Sequence, residues 1–295
     1  MPSGKRAREQ RQQAAAAPPP VRSKGGPSGA RQASGRTLAI AGGVILVVIV
    51  AVVLGIVLTQ NSSAGGDGST DGTKILATQG TPAIGNASTS VLQNAPFVEK
   101  TLKGIPQNGL VLGKADAPVT LIEYIDLQCP VCASFVTQQV PDLVKKYVRP
   151  GKLKIKMQPW NILDAQHGTV DSLRGQKATI GAGDQNKAFN FSDVLYWNQA
   201  TEGTGWLKDG IVSLIAASIN GFDYKKWLQD ANSPATAQTL KQIDDYANSH
   251  VTAPPGPFSG TPTLFLQKGN EPPKFFQTGL PDPAALQAAI EADLK

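Results

Sequence analysis

The sequence predicts a mixed α/β domain with an inserted group of helices, preceded by a single transmembrane helix. Two observations support this fold class. Short β-rich runs alternate with helical patterns in the order β, β, α, β, several helices, β, β, α, which fits a parallel βαβ unit joined to an antiparallel pair and a final helix. A run of 21 uncharged, mostly apolar residues, Leu38–Leu58, precedes these elements.

The positive charge of the chain is concentrated in its first 36 residues. Eight of the 28 basic side chains lie there, but only one of the 22 acidic side chains, so residues 37–295 carry a net charge of −1. Because the rest of the chain has no basic excess, its composition does not favour nucleic-acid binding. Residues 1–36 are rich in Ala, Pro, Gly and Gln without apolar periodicity, which predicts a disordered tail.

Residues 37–59 are predicted to be a retained transmembrane anchor. The apolar run would form a helix about 32 Å long, close to the roughly 30 Å of a bilayer core. The alternatives are a buried core helix, which rarely runs this long without a polar face, and a cleaved signal peptide, which usually has a shorter apolar region. Since the basic residues precede the span, the positive-inside rule predicts a single-pass protein of the cell membrane, with residues 1–36 cytoplasmic and the folded domain outside.

Residues 60–96, rich in Gly, Ser, Thr and Asn, are predicted to be a flexible linker to a folded domain at 97–295. Strands are predicted at 109–113, 119–126, 153–158, 263–267 and 274–278. Helical patterns occupy 97–105, 130–147, 193–198, 211–219, 224–231, 240–247 and 283–294, and Pro141 should kink the second of them. The helices between about residues 165 and 252 would form an insertion into a thioredoxin-like arrangement.

The two cysteines of the chain lie three positions apart, at Cys129 and Cys132, so no other cysteine is available for a structural disulfide. A predicted strand leads into Cys129 and a predicted helix begins beside it, and a helix N-terminus stabilises a thiolate. We therefore expect Cys129, at an exposed cap position, to be the nucleophile and the more buried Cys132 to resolve the mixed disulfide. Pro130 suits the first helical turn, because its missing N–H is not needed there.

A zinc half-site and an inert structural disulfide are alternative interpretations of this pair. Structural zinc needs about four ligands, whereas His167 and His250 lie 83 residues apart and there is no second Cys-x-x-Cys. We therefore expect no metal, and no cofactor other than the redox-active disulfide Cys129–Cys132.

The residues around the cysteines resemble the DsbA family of extracytoplasmic disulfide oxidoreductases. The resemblance rests on Leu121–Phe135, which holds the cysteine pair, and on Gly260–Thr263 just before a predicted strand. Three shorter segments are similar to the membrane-anchored bacterial members: Gly104–Gln107, Leu112–Gly113 and Ala117–Val119. The resemblance covers roughly residues 97–295, and the cysteine block is its specific part. It implies a thioredoxin-like fold and thiol–disulfide exchange.

The resemblance also implies roles for individual residues. Cys129 and Cys132 match the redox pair of the family, and Pro262 matches its cis-proline, with Thr261 before it. In the family this loop faces the disulfide and offers backbone groups to an extended substrate, next to the dipeptide that is Pro130–Val131 in this chain. The alternative for Pro262 is an ordinary trans-proline at the start of a strand.

Glu123 lies six residues before Cys129, where the family often has a buried acid near the resolving cysteine. A buried carboxyl group with a raised pKa can accept or return the proton of Cys132. One alternative is that Glu123 is a partly exposed strand acid. Another is that Asp126 has this role, although we expect Asp126 to be a surface or turn acid.

The motif departs from the best-known oxidases at Val131, where they often have histidine. Valine offers the thiolate neither a charge nor a hydrogen bond, so we expect a less perturbed Cys129 and a less oxidising couple. The dipeptide Pro130–Val131 does not determine the direction of electron flow.

The leading functional hypothesis is an enzyme that introduces disulfides into reduced secreted or surface proteins. The resemblance implies that a quinone-linked membrane protein of the DsbB-like or VKOR-like type would reoxidise it. The alternatives are a disulfide reductase or isomerase, a non-enzymatic thioredoxin-like module that binds a client or a metal ion, and a structural protein in which the cysteines are incidental.

Overall fold

The computed structural model of the protein describes residues 74–75, 92 and 94–295. The predicted tail at 1–36 and the predicted transmembrane anchor at 37–59 lie outside the described residues. Within the part of the chain that is described, no helix combines the length and the apolar character needed to cross a membrane.

A mixed six-stranded sheet forms the centre of the described domain, in the order β1-β2-β4-β3-β5-β6. Its strands are β1 Gln107–Asn108, β2 Val111–Leu112, β3 Val119–Ile125, β4 Leu153–Pro159, β5 Thr263–Lys268 and β6 Lys274–Thr278. Strand β3 is parallel to β4 and antiparallel to β5, and β5 is antiparallel to β6. The predicted βαβ unit joined to an antiparallel pair is thereby confirmed. The edge strand β1 has only two residues, and the sequence did not predict it.

Helices cover the sheet and form the insertion. They are α1 Ala95–Leu102, α2 Pro130–Gln138, α3 Val140–Leu143, α4 Asp164–His167, α5 Asp171–Gly183, α6 Ala188–Trp197, α7 Asp209–Ala217, α8 Tyr224–Ala231, α9 Pro234–Ser249 and α10 Pro283–Asp293. The predicted helix at 130–147 is interrupted as expected: α2 ends at Gln138, and Pro141 lies in the first turn of α3. A π-helical turn, Val144–Val148, follows α3.

The helical insertion consists of α4 to α9, which run from Asp164 to Ser249 and match the predicted insertion at 165–252 closely. Helix α5 lies at its centre and is buried over most of its length. Two of its glycines allow close packing. A Cβ atom at Gly181 would lie 2.6 Å from the backbone nitrogen of Ala231, and one at Gly175 would lie 2.5 Å from Cβ of Leu127. The insertion therefore packs directly against the segment that follows β3.

The predicted linker at 60–96 contains residues that belong to the folded domain. Ile75 is only 1% exposed and joins the main hydrophobic core. Its N–H donates to Oδ1 of Asn232 at 3.0 Å, and Nδ2 of Asn232 donates back to the Ile75 carbonyl at 2.7 Å. Leu92 and Ala95 are buried as well. The interpretation of residues 60–96 as a flexible linker throughout is therefore corrected at these positions, because apolar side chains there contribute to the core.

Candidate active site

Strand β3 leads the chain to Cys129. All seven residues of β3 are buried, and the chain then turns through residues 126–128 before α2 begins. Cys129 is the N-cap of α2, with φ −74° and ψ 120°, and its Sγ accepts a hydrogen bond from the Cys132 N–H at 3.4 Å. Pro130 occupies the first turn, where a missing N–H costs nothing. The sulfur therefore lies at the positive end of the helix dipole.

Both cysteines are unpaired thiols, and both are buried. Cys132 is completely inaccessible, as expected for the resolving position. Cys129 is only 5% exposed, so the expectation of an exposed cap position is wrong. The Thr261 carbonyl lies against its sulfur, and Gln199 of the helical insertion lies against its carbonyl. In contrast, the Pro130–Val131 dipeptide is exposed, and Val131 has 38% of its surface accessible.

The two thiols differ in acidity. The pKa of Cys129 is lowered from 9.0 to about 7, chiefly because the Cys132 thiol donates a hydrogen bond to its sulfur; burial opposes this shift, and Thr261 and the backbone N–H groups of Cys132 and Val131 add to it. Burial raises the pKa of Cys132 well above its ordinary value, and the hydrogen bond to Cys129 raises it further. Cys129 is therefore the thiol that ionises first.

The loop before β5 lies against the sulfur of Cys129. The peptide bond between Thr261 and Pro262 is cis, as the resemblance implied. The Thr261 carbonyl is 3.5 Å from Sγ of Cys129 and accepts a hydrogen bond from its thiol. Pro262 is buried, and the hydroxyl of Thr263 donates to the Gly260 carbonyl at 2.7 Å. Cys129 and Thr261 thus meet at the reactive sulfur although they are far apart in the sequence.

Glu123 is buried in the middle of β3, with 2% of its surface exposed, so it is not a partly exposed strand acid. Its Oε2 has no hydrogen-bond partner among the described residues. Burial, and to a lesser extent the nearby carboxyl group of Asp193, raise its pKa from 4.5 to about 8. Asp193 lies on α6 and is itself buried, which raises its pKa to about 7. These two acids therefore bind protons near neutral pH.

Asp126 is completely buried, so the expectation of a surface acid is wrong, although the residue does lie in a turn. Its carboxylate accepts hydrogen bonds from the N–H groups of Gln128, Ile162 and Leu163 and from the hydroxyl of Ser172. Burial nevertheless raises its pKa to about 6, because desolvation exceeds the effect of these donors. Asp126 thus joins the turn before Cys129 to two other segments of the chain.

The described residues contain no group of three or more His, Cys, Asp or Glu side chains placed to hold a metal ion. Nε2 of His167 lies 2.8 Å from Oε1 of Glu202, and His250 stacks on the ring of Tyr246. Within the described domain, neither histidine therefore belongs to a ligand group with the two cysteines.

Comparison with known proteins assigns the chain to a family. The family model described as Thioredoxin matches residues 106–291. The chain belongs to the thioredoxin family. A relative from Bacillus cereus, named "Probable disulfide bond formation protein D", is 23% identical over 185 residues, which cover 62% of this chain and 78% of the relative.

Solved structures of DsbA-type proteins share this thioredoxin fold. BdbD from Bacillus subtilis in its oxidised form superimposes with a TM-score of 0.51 and 22% identity, covering 64% of this chain and 97% of that chain. Wolbachia pipientis alpha-DsbA1 gives a TM-score of 0.51 at 17% identity, covering 65% and 92%. Together with the curated relative, these similarities identify the chain as a DsbA-like member of the thioredoxin family and a thiol–disulfide oxidoreductase.

The structure places further polar residues of this thioredoxin domain at the site that the sequence did not indicate. Asp193 lies near Glu123, and the hydroxyl of Tyr196 donates to the Asp126 carbonyl at 2.9 Å. Both residues belong to the inserted helix α6, and no sequence motif marks them. They reach the site only because α6 packs across α2.

Proposed function

We propose that this protein introduces disulfide bonds into secreted or surface proteins outside the cytoplasm, by exchange at Cys129 and Cys132. One observation carries the exchange chemistry of this proposal, whichever way the electrons flow: Sγ of Cys129 lies at a helix N-terminus and against the Thr261 carbonyl, with its pKa lowered to about 7. A sulfur in this position is a good leaving group and can be approached by an extended polypeptide.

The exchange proceeds in two displacements. In the oxidised enzyme, a thiolate of the substrate attacks Sγ of Cys129 and forms a mixed disulfide, while the Cys129–Cys132 bond breaks and its electron pair remains on Cys132. The second thiolate of the substrate then attacks the substrate sulfur of the mixed disulfide. This step forms the substrate disulfide and releases Cys129 as a thiolate. Two electrons thereby pass from the substrate to the enzyme.

Glu123 is proposed to supply the proton that Cys132 takes up as it leaves. The raised pKa of the Cys132 thiol means that its thiolate binds a proton as soon as one is available. Glu123 retains its proton up to about pH 8 and has an oxygen without a hydrogen-bond partner in the described domain. When the enzyme is reoxidised, the same carboxylate would take the proton back.

The substrate would bind over the Thr261–Pro262 loop and the exposed dipeptide Pro130–Val131. Val131 offers an apolar surface beside the sulfur, and the Thr261 carbonyl lies 3.5 Å from it. An extended chain can use such backbone groups without regard to its own sequence, which suits an enzyme that acts on many proteins.

The proposed location rests on the predicted anchor at 37–59 and on the charge of residues 1–36, which favour a domain outside the membrane with a cytoplasmic tail. A quinone-linked membrane protein, DsbB-like or VKOR-like, would then remove the two electrons from the reduced Cys129 and Cys132. Reduced secreted proteins would be the substrates.

A disulfide reductase or isomerase is the second candidate, and the acidity of Cys129 favours it. A pKa of about 7 is typical of thioredoxin, whereas the strongly oxidising DsbA has a pKa of about 3.5. The corresponding reduction potentials are about −270 mV and about −120 mV. Equilibration of the purified protein with glutathione buffers measures its reduction potential. The result will show whether the potential lies nearer that of thioredoxin or that of DsbA.

Activity assays test the oxidoreductase proposal. We expect the oxidised protein to accelerate disulfide formation in reduced ribonuclease, and we expect Cys129→Ala to abolish this activity. In cells, Cys132→Ala should accumulate mixed disulfides through Cys129, and thiol trapping should find the wild-type pair mostly oxidised. A mostly reduced pair would favour the reductase or isomerase. Full activity of Cys129→Ala would contradict both enzymatic readings and favour a binding module.

A further inference from the structure

The helical insertion supplies hydrogen-bond donors and acceptors to the four residues 126–129, which we call the catalytic loop. This loop connects β3 to α2 and ends at the reactive cysteine. Its backbone and side chains make polar contacts with residues of the insertion between 164 and 203, outside the βαβ unit that carries the cysteines. The insertion is therefore part of the immediate surroundings of Cys129.

The side chains of Tyr196, in the last turn of α6, and of Gln199, two residues after α6, contact the backbone of the catalytic loop. The hydroxyl of Tyr196 donates to the Asp126 carbonyl at 2.9 Å, and the same carbonyl accepts the Cys129 N–H at 3.0 Å. Nε2 of Gln199 lies 3.1 Å from the Leu127 carbonyl and 3.4 Å from the Cys129 carbonyl. The insertion thus holds the partner of the Cys129 N–H and also the Cys129 carbonyl itself.

The side chain of Gln128 attaches the same loop to other parts of the insertion. It is completely buried, and its Nε2 donates to Oδ1 of Asp164 at 2.9 Å and to Oγ of Ser172 at 2.6 Å. Its Oε1 accepts the Gly203 N–H at 3.0 Å. Because hydrogen bonds satisfy this buried carboxamide on three sides, its orientation is fixed. The position of Gln128, the residue before Cys129, is fixed with it.

These contacts bear on the chemistry because the Cys129 carbonyl also begins the first turn of α2. It accepts the Ala133 N–H at 3.0 Å, and the same turn directs the Cys132 N–H at Sγ of Cys129. If the carbonyl rotates, the turn rotates with it, and the hydrogen bonds that stabilise the thiolate lengthen. The orientation of this peptide group therefore contributes to the acidity of the nucleophile, beside the larger effect of the Cys132 thiol.

We infer that Tyr196 and Gln199 are positioning residues of the active site, through which the helical insertion sets the reactivity of Cys129. The inference rests on the proposed exchange at Cys129, and it adds a role for the insertion in that exchange. Neither residue touches the reacting sulfur. Each acts through a backbone carbonyl on one side of Cys129.

Two conservative variants of the full-length protein test this inference. Tyr196→Phe removes only the hydroxyl, and Gln199→Leu removes the carboxamide of a partly exposed side chain, so both are expected to fold. The matched control is Gln185→Leu. Gln185 lies after α5, and its carboxamide makes two hydrogen bonds to the backbone of Asp223, away from the catalytic loop.

The readouts are the pKa of Cys129, from the ultraviolet absorbance of its thiolate, and the rate at which it reacts with a small disulfide at about pH 6. We expect each test variant to raise the pKa and to slow the reaction by about two- to tenfold, the effect of one lost hydrogen bond. Gln185→Leu should lower the melting temperature without changing the pKa or the rate.

If both test variants lose thermal stability but keep the wild-type pKa and rate, the bonds are purely structural and the inference is wrong. This result is distinguishable from failure of the proposed function. If the proposed function were wrong, the wild-type protein itself would not react faster than Cys129→Ala.

Discussion

The acidity of Cys129 comes from a few groups around its sulfur, and Val131 is the exposed neighbour that contributes only a backbone N–H. Its side chain is exposed, so a histidine at this position would not displace core residues. Position 131 is therefore a place where the redox potential can be changed without disturbing the fold.

We expect Val131→His to raise the reduction potential of the Cys129/Cys132 couple. An imidazolium beside the sulfur favours the thiolate, and a fall of about one unit in its pKa stabilises the reduced enzyme by about 1.4 kcal/mol, or about 30 mV. Equilibration with glutathione buffers measures this change, with Val131→Thr as the uncharged control. An unchanged or lower potential in the histidine variant would show that the side chain at position 131 does not set the potential in this way.

Glu123 should make the stability of the protein depend on pH. Its pKa is raised in the folded state from 4.5 to about 8, so the folded protein binds this proton more tightly than the unfolded chain does. The resulting contribution to the free energy of unfolding is complete below about pH 4.5 and is lost as the pH rises to about 8. Desolvation of the carboxylate is the main cause.

In the reduced protein, Glu123→Gln should therefore reduce the loss of stability between about pH 5 and pH 8 by roughly 3 kcal/mol. Urea unfolding at several pH values measures this difference, and Asp193 accounts for part of the dependence that remains. Glu271→Gln is the control, because Glu271 is an exposed acid. Equal pH profiles for wild type and Glu123→Gln would show that Glu123 has no such role.

At the scale of elements, helix α5 connects the insertion to the catalytic loop through Gly175. A Cβ atom there would lie 2.5 Å from Cβ and 2.9 Å from Cγ of Leu127, a buried residue of that loop. Gly175→Ala should therefore displace Leu127, destabilise the fold by about 1–3 kcal/mol and also slow the reaction of Cys129.

The control for this prediction lies on the same helix. Gly181→Ala meets the backbone of Ala231 at 2.6 Å and should cost a similar free energy of unfolding. Because that contact is with α8, the reactivity of Cys129 should not change. Reaction rates measured well below the melting temperature of both variants separate the two effects.

The elements that the sequence predicted have strong local signals. Apart from Glu123, strand β3 is a run of β-branched and apolar residues. Helix α10 begins after an N-cap, Asp282, whose side chain accepts the Ala285 N–H at 2.8 Å. Helix α5 was not predicted because it is buried on nearly all sides, so it lacks the apolar and polar faces that give a helix its periodicity.

The sequence indicated the residues of the candidate active site where a motif or a family resemblance marks them, as for Cys129, Cys132 and Pro262. Asp193, Tyr196 and Gln199 were not predicted. Their roles depend on how an inserted helix crosses α2, and no local pattern in one sequence encodes such a long-range contact. The burial of Asp126 was missed for the same reason, since the residues that cover it come from the 162–172 region.

At the scale of the whole molecule, Ile75 attaches residues 74–75 to the helical insertion, although they precede the rest of the domain in the sequence. Its side chain is buried in the core and its backbone makes two hydrogen bonds with Asn232. We expect Ile75→Ala to lower the free energy of unfolding by about 2–4 kcal/mol, measured by urea denaturation.

Val251→Ala is the control for this prediction, because Val251 is 56% exposed and should change the stability little. If Ile75→Ala is as mild as Val251→Ala, residues 74–75 do not belong to the cooperative unit.

The pKa of about 7 at Cys129 also links the enzyme to the acidity of its surroundings. Roughly a tenth of the reduced protein would carry the thiolate at about pH 6, and roughly nine tenths at about pH 8. In the proposed location outside the cytoplasm, the pH follows the environment of the cell. A cell that moves into an acidic habitat would therefore slow the reoxidation of this enzyme without making less of it.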